Sequence, residues 1–366
     1  MKNDAKLLNL FSEFSSLGIA DQINYKKFYL YSIITHSTAI EGSTVTEIEN
    51  QLLFDEGISA SKRTMTEQLM NLDLKAAYEK SIRYAEKNGP YSVEMLKSLS
   101  ALVMKNTGSV YNSISGSFDA RNGDLRLVNV SAGVGGKSYM AFQKVPAKLE
   151  EFCAWLNDSI SKVNKNDVLE AYTLSFEAHY RLVVIHPWVD GNGRMSRLIM
   201  NQVQTQQGLL PTIVYKEHKA EYIESLAKSE DAEDSSLFIN FMFDELKAFL
   251  EENITNFKKS LAKELHIDEF SEKNKNVPIN VGLNGLETTN KTTNKTTNKL
   301  SPEAENVLNC LKENPTLSAI EIGKKLHLSN DGVRYHIKNL KKLGLLERMD
   351  GKKNGYWKII ESGDIQ

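Results

Sequence analysis

The sequence predicts a mainly α protein, a helical bundle with a small β-hairpin flap, joined by a flexible linker to a small second module. Three observations carry this reading. Apolar residues recur at three-to-four residue spacing over most of the first 264 positions. Alternation and Asn-Gly punctuation replace that spacing between 117 and 142. A stretch from about 271 to 300 ends in Thr-Thr-Asn-Lys three times over, beginning at Thr288, and has too little to bury to offset its ordering entropy.

The elements follow in order. Apolar spacing from Ile23 to Ile40 predicts a helix that ends at Gly42 and Ser43. Thr46 suits the N-cap of EIENQLLF, which Gly57 closes. Segments 65–87, 93–105, 146–161, 167–185, 194–207, 219–228 and 235–264 read as helices, and GKSYMAFQ as part of the hairpin. The chain is therefore divided into an N-terminal helical region (1–100), a core (101–268), the linker (269–300) and the second module (301–361).

Composition bounds the rest. The 366 residues are 41% hydrophobic and 25% charged, with a formal net charge of −2, so nothing draws the whole chain to nucleic acid or an anionic membrane. Cys153 and Cys310 have no metal or redox spacing and sit in apolar helical patterns, as buried core residues do. The N-terminus has no apolar signal core and no run reaches the ~20 apolar residues of a membrane span, so a cytoplasmic protein without a membrane partner is expected.

One stretch asks for chemistry. In HPWVDGNGRMSR, His186 and Pro187 end a helix, and Trp188 and Val189 are apolar and suited to pin the turn. Gly191, Asn192 and Gly193 can aim successive N–H groups into one concavity. The next helix starts there, so the concavity coincides with a positive helix end, and Arg194 and Arg197 fall on one face of its first turn. That combination suits a polyphosphate. Asp190 is placed to hold Mg²⁺ beside phosphates, and His186 to accept a proton. A near-match to a phosphate loop, SAGVGGKS at 131–138, is rejected. Ser131 stands where a glycine is required, and YMAFQKVP follows instead of a helix.

The twelve residues 186–197 resemble the Fic signature H-x-F-x-[DE]-G-N-G-R-x-x-R, with Trp188 for Phe as the sole departure, and the similarity extends over roughly 20 to 250. The resemblance implies transfer of AMP from Mg-ATP to a Ser, Thr or Tyr hydroxyl of a protein, self-modification included. It implies His186 as base, Asp190 as the Mg²⁺ ligand, and nucleotide contacts from Asp190 through Gly191, Asn192, Gly193, Arg194, Met195, Ser196 and Arg197. It places Tyr222 as an aromatic beside the base, and Lys137 and Ser138, as contacts to nucleotide or target, on the flap (134–142), which holds target peptides by strand addition. Ser37, Glu41 and Gly42 match the family's inhibitory pattern [ST]-x-x-x-E-[GN]. Glu41 is then expected to pair with Arg197 and spoil the alignment of ATP. In some relatives the same glutamate serves removal of AMP, and the sequence leaves the direction open, as it does the oligomeric state.

Residues 300–360 resemble a winged helix-turn-helix. Pro302 suits a helix start, Ser318 and Ser329 suit N-caps, and Gly344 closes the third helix. Between 324 and 358 ten Lys/Arg stand against three acids, a phosphate-contacting footprint. Asn330, Arg334, Tyr335 and Lys338 are the residues expected to meet DNA. Protein docking is the competing use. A transcriptional regulator with a nucleotide-sensing body is the competing reading of the whole chain.

Overall fold

Capping chemistry punctuates the chain as written. Thr46 and Thr64 each open a helix with a full capping box, their side chains accepting from the backbone of Glu49 and Glu67, which reach back in return. Ser92 and Asp167 cap two more. In this computed structural model the described residues are 2–132, 136–164 and 166–273, with parts of 302–360. They divide into two compact units, Met1–Val277 and Pro278–Gln366.

The larger unit contains helices α1 (Lys2–Ser16), α2 (Tyr25–Ile40), α3 (Glu47–Glu56), α4 (Met65–Glu86), α5 (Val93–Val103), α6 (Val145–Lys162), α7 (Val168–Ile185), α8 (Asn192–Gln206), α9 (Lys219–Asp231) and α10 (Ser236–Lys273). Helix α1, which the spacing argument left unassigned, contributes Leu7 and Phe14 to the core. The expected division at residue 100 falls inside α5, and α10 runs past the expected boundary at 268.

Helix α8 is the axis of this unit. From Arg194 to Gln204 every residue is buried, polar ones included. Most of those polar side chains are partnered, as burial demands, although Ser196 Oγ, Arg194 Nε and Gln202 Nε2 are not. Asn201 accepts from the Tyr78 hydroxyl at 2.7 Å, Gln202 from Ser81 at 2.7 Å, and Gln204 donates to Ser175 at 2.9 Å. A large apolar core surrounds α8. A smaller one, with Ile40, Phe176, Met200, Tyr222 and Phe238, clamps the C-terminal end of α2.

The regular hairpin lies upstream of the predicted flap. Strands β1 (Val110–Ser113) and β2 (Gly116–Asp119) pair antiparallel, Val110 opposite Asp119. Asn122-Gly123 is not a hairpin turn: Gly123 closes a 3-10 turn at Ala120–Asn122. A Cβ on Gly123 would lie 2.0 Å from the Lys97 carbonyl oxygen, so only glycine lets this turn meet α5. Among the described residues of the predicted flap and its approach, pairing is one bridge, Ser131 with Ser138, flanked by Tyr139 N–H to the Val130 carbonyl. Lys137 and Ser138 are exposed.

In the smaller unit, α11 (Pro302–Glu313), α12 (Ala319–Leu326) and the antiparallel pair β3 (Leu346–Arg348) and β4 (Trp357–Ile359) enclose a core that includes Val307, Leu311, Ile322, Leu340 and Leu346. Cys153 and Cys310 are buried and unpaired. The linker repeat and Asn330, Arg334, Tyr335 and Lys338 lie outside the described residues. Among the described residues no helix is long and apolar enough to cross a membrane.

Candidate active site

Helix α7 delivers His186 as its C-cap, in a left-handed conformation (φ 50°, ψ 62°) uncommon for a non-glycine residue. The turn is over-determined by its surroundings, as such strain requires. Trp188 is buried, and its indole N–H donates to the Gly123 carbonyl at 3.2 Å. Asn192 folds its amide back, donating to the Trp188 carbonyl at 2.8 Å and accepting from the Trp188 N–H at 3.0 Å. The imidazole Nδ1 of His186 lies 3.3 Å from the Val183 carbonyl. Donation there leaves Nε2 as the unprotonated nitrogen. Burial pushes the His186 pKa down to about 4, against the opposing pull of the Val183 bond, and the Arg126 charge adds to the lowering. His186 is therefore a neutral base at pH 7.

Helix α8 begins at the far end of the turn and aims its free N–H groups at the same space. A carboxylate already sits there. Glu41 caps the end of α2, and its Oε1 would lie 2.6 Å from a Cβ placed on Gly193. Glycine at 193 is what allows that approach. Arg197 Nη2 donates to Glu41 Oε1 at 2.6 Å and to the Ser37 carbonyl at 3.0 Å. Its Nε donates to Ser37 Oγ at 2.9 Å and its Nη1 to the Tyr222 hydroxyl at 3.3 Å. Burial works against ionising Glu41, but the Arg197 charge and hydrogen bond outweigh it and hold the carboxyl below the ordinary glutamate value. Gly42 follows with φ 102°, turning the chain away from the site.

The Fic/DOC family model matches residues 90–204. Residues 90–204 are a Fic domain. A winged helix-turn-helix DNA-binding model matches 305–347. The chain is 26% identical over 222 residues to protein adenylyltransferase Fic of Drosophila grimshawi, covering 60% of this chain and 42% of that protein. It is 25% identical over 228 residues to protein adenylyltransferase fic-1 of Caenorhabditis briggsae, covering 62% and 41%. The chain thus spans less than half the length of these curated relatives. Among solved structures, a Fic domain containing signaling protein from Bacteroides thetaiotaomicron VPI-5482 shares the fold at TM-score 0.57 and 21% identity, over 69% of this chain and 97% of that one. A Fic family protein from Desulfovibrio desulfuricans G20 matches at TM-score 0.52 and 16% identity, over 98% and 97%.

Within the Fic domain and its flanks, the residues singled out in the sequence are sorted by the structure. Gly193 and Arg197 meet the Glu41 carboxylate, and His186 stands near enough to feel its charge. Asp190 keeps a side chain 60% exposed, one oxygen accepting from the Gly191 N–H at 2.6 Å. Arg194 is buried and turned inward, its Nη1 on the Val103 carbonyl at 3.3 Å, while its buried Nε has no protein partner. Met195 and Ser196 are fully buried in the helix packing: in a helix buried all round, intervening positions face the core. Tyr222 is not the ring beside the base. Its hydroxyl lies 2.9 Å from Nε2 of the buried His179, and the ring on His186 is Tyr139, stacked at 3.7 Å. Lys137 pairs with Asp231 at 3.0 Å and Glu230 at 3.3 Å on α9, tying the flap to that helix; Ser138 is exposed.

Three residues escaped sequence reasoning. Arg126 is buried and donates to the carbonyls of His186 (2.7 Å), Val128 (2.9 Å) and Met140 (2.5 Å). It binds the base's own backbone to both sides of the flap. His179 and Tyr139 complete the set. A buried arginine and a packed histidine have no local signature; only Tyr139, within the predicted flap, lay near a marked position.

Proposed function

We propose that this protein transfers AMP from Mg-ATP to a hydroxyl of a protein substrate, and that Glu41 holds it in a restrained state. The observation that carries the reading is the Glu41 carboxylate on Gly193 and Arg197. An anion occupies the helix N-terminus and the guanidinium that would otherwise grip a phosphate. Next to it stands a neutral histidine with a free Nε2. The names of the relatives, protein adenylyltransferases, agree with that chemistry.

In the reaction the substrate oxygen attacks the α-phosphorus and the bond to the pyrophosphate oxygen breaks. The hydroxyl proton passes to His186 Nε2. The N–H groups at the start of α8 and Arg197 take up charge on the phosphates. Arg194, with its unpartnered Nε, holds the turn from within. Asp190 suits Mg²⁺, which takes one or two carboxylates and completes its shell with phosphates and water; when bound, the ion neutralises phosphate charge. With Glu41 on Arg197, the phosphate grip is lost and ATP cannot align for attack. The C-terminal module is read as a duplex-DNA contact on the strength of its family model, testable by electrophoretic mobility shift.

The deciding experiment measures incorporation from α-labelled ATP by wild type, Glu41→Gly, and Glu41→Gly with His186→Ala. Strong labelling by Glu41→Gly alone is expected. Absence of labelling in all three, with ATP still bound, would defeat adenylyl transfer. Loss of label from a premodified protein would then point to the reverse direction.

A further inference from the structure

Most of what holds Arg197 belongs to the segment that restrains it. Among the described residues it makes four hydrogen bonds, and three go to Ser37 and Glu41, on α2 and its cap. The fourth runs from Nη1 to the Tyr222 hydroxyl, on α9, at 3.3 Å. We propose that Tyr222, its hydroxyl oriented by His179, is the positioning residue that keeps Arg197 aimed at the ATP phosphates once Glu41 leaves. This rests on the reading of Arg197 as the phosphate grip.

The direction of the hydrogen bonds argues for the role of His179. A guanidinium only donates, so the Tyr222 oxygen accepts from Arg197. Its own proton then needs an acceptor, and Nε2 of His179 lies 2.9 Å away. That nitrogen is therefore unprotonated and the imidazole proton sits on Nδ1. There it is buried without a partner. The opposite tautomer satisfies less: it leaves the Tyr222 proton without an acceptor among the described residues, and Nδ1 still unmet. The fold thus tolerates one orphaned N–H and gains a phenol oxygen fixed toward Arg197. An orphan of this kind in a native core calls for such an explanation. Burial, reinforced by the Arg197 charge, holds the His179 pKa well below 6.5, so the ring stays able to accept.

Packing makes the contact independent of α2. His179 is fully buried on α7 and stacks on Phe238 of α10, ring centroids 4.8 Å apart. Tyr222 is buried too and meets the same Phe238 ring edge-on at 6.1 Å. Helices α7, α9 and α10 together therefore present this hydroxyl to α8. When the Glu41 carboxylate turns away, Arg197 loses a partner on α2 and keeps the one on α9. Phenylalanine at 222 would preserve the ring, which lies 5.8 Å from Arg197 Cζ, and delete only the oriented oxygen.

The test uses the full chain. Imidazole ¹⁵N NMR of the wild type, with the His179 signals assigned by their absence from His179→Gln, should show the Nδ1–H tautomer; the Nε2–H tautomer overturns the proposal. Affinity is then measured by calorimetry in the Glu41→Gly background with the α,β-methylene analogue of ATP, which cannot give up AMP. Tyr222→Phe should weaken binding about tenfold, the scale of a hydrogen bond to a charged group. His179→Leu should weaken it similarly, and His179→Gln, whose amide oxygen can accept in place of Nε2, should stay within about twofold of the parent. Tyr222→Phe with His179→Leu should bind no worse than Tyr222→Phe, because the two act in series. Additive losses, or full affinity in Tyr222→Phe while Arg197→Ala binds weakly, overturn the role of Tyr222 alone. Full affinity in Arg197→Ala overturns the phosphate grip, and this role with it. Should His179→Leu fail to fold by circular dichroism, the tautomer and Tyr222→Phe decide. Neither arm reads AMP transfer, so failure of the enzymatic reading leaves both results interpretable.

Discussion

Tyr139 and His186 lie face to face, ring centroids 3.7 Å apart and planes 17° from parallel. The flap thus covers the imidazole, and this cover is part of the burial that lowers its pKa to about 4. Base catalysis by the free enzyme should be level from pH 6 to 8, because the folded pKa lies far below that window. Its kcat/KM should decline only as pH falls toward 4. Tyr139→Ala removes the cover and should move the acid limb, and the imidazole titration followed by NMR, upward toward the ordinary histidine value. An unmoved titration would separate Tyr139 from the state of the base.

The restraint should be graded. Ser37 supplies two of the four contacts that hold Arg197, one through its hydroxyl at 2.9 Å and one through its carbonyl at 3.0 Å. Ser37→Ala removes the hydroxyl contact alone. A hydrogen bond to a charged group is worth about 1.5 kcal/mol or more, so labelling should rise roughly tenfold. It should stay below that of Glu41→Gly. Quantified incorporation by the two variants decides it.

The same pair contributes to the fold. Glu41→Gly leaves the buried Arg197 without its counter-charge, and since the Glu41 side chain is 32% exposed the cost should be about 1–3 kcal/mol. Calorimetry should show Tm lowered by about 3–8 °C. ATP should restore more of that loss in the variant than it adds to wild type, because only the variant has an open anion site.

Arg126 positions the base through its backbone. In the Glu41→Gly background, Arg126→Met should lower kcat by about 10²-fold, the scale for a displaced catalytic group. KM for ATP should change little, since Arg126 does not line the phosphate concavity. A parallel loss of ATP affinity would make it a general structural residue instead.

His179 makes the fold acid-sensitive. Burial, reinforced by the Arg197 charge, holds its pKa well below 6.5. The folded state keeps it neutral while the unfolded chain takes up a proton below that value. Stability should therefore fall as pH drops below about 6.5. His179→Gln should flatten this dependence between pH 6.5 and 5 in denaturant titrations. The Glu41 carboxylate acts in a separate window, its contribution fading only below its ordinary value of 4.5.

The sequence by itself determined most of the helices, α1 excepted, the caps at Thr46 and Gly57, the 186–197 turn and the small C-terminal module, because periodicity, capping and a contiguous motif are local properties. It also placed Glu41 opposite Arg197, through a second motif 156 residues away. Tertiary structure alone decided which motif side chains face the concavity. Met195 and Ser196 turn into the core because α8 is surrounded, and Arg194 points inward for the same reason. It alone joined Arg126 to His186 across 60 positions and set Tyr139 rather than Tyr222 on the imidazole. Such pairings depend on how α8, the flap and α9 pack around one another, and no local pattern in the chain encodes that packing.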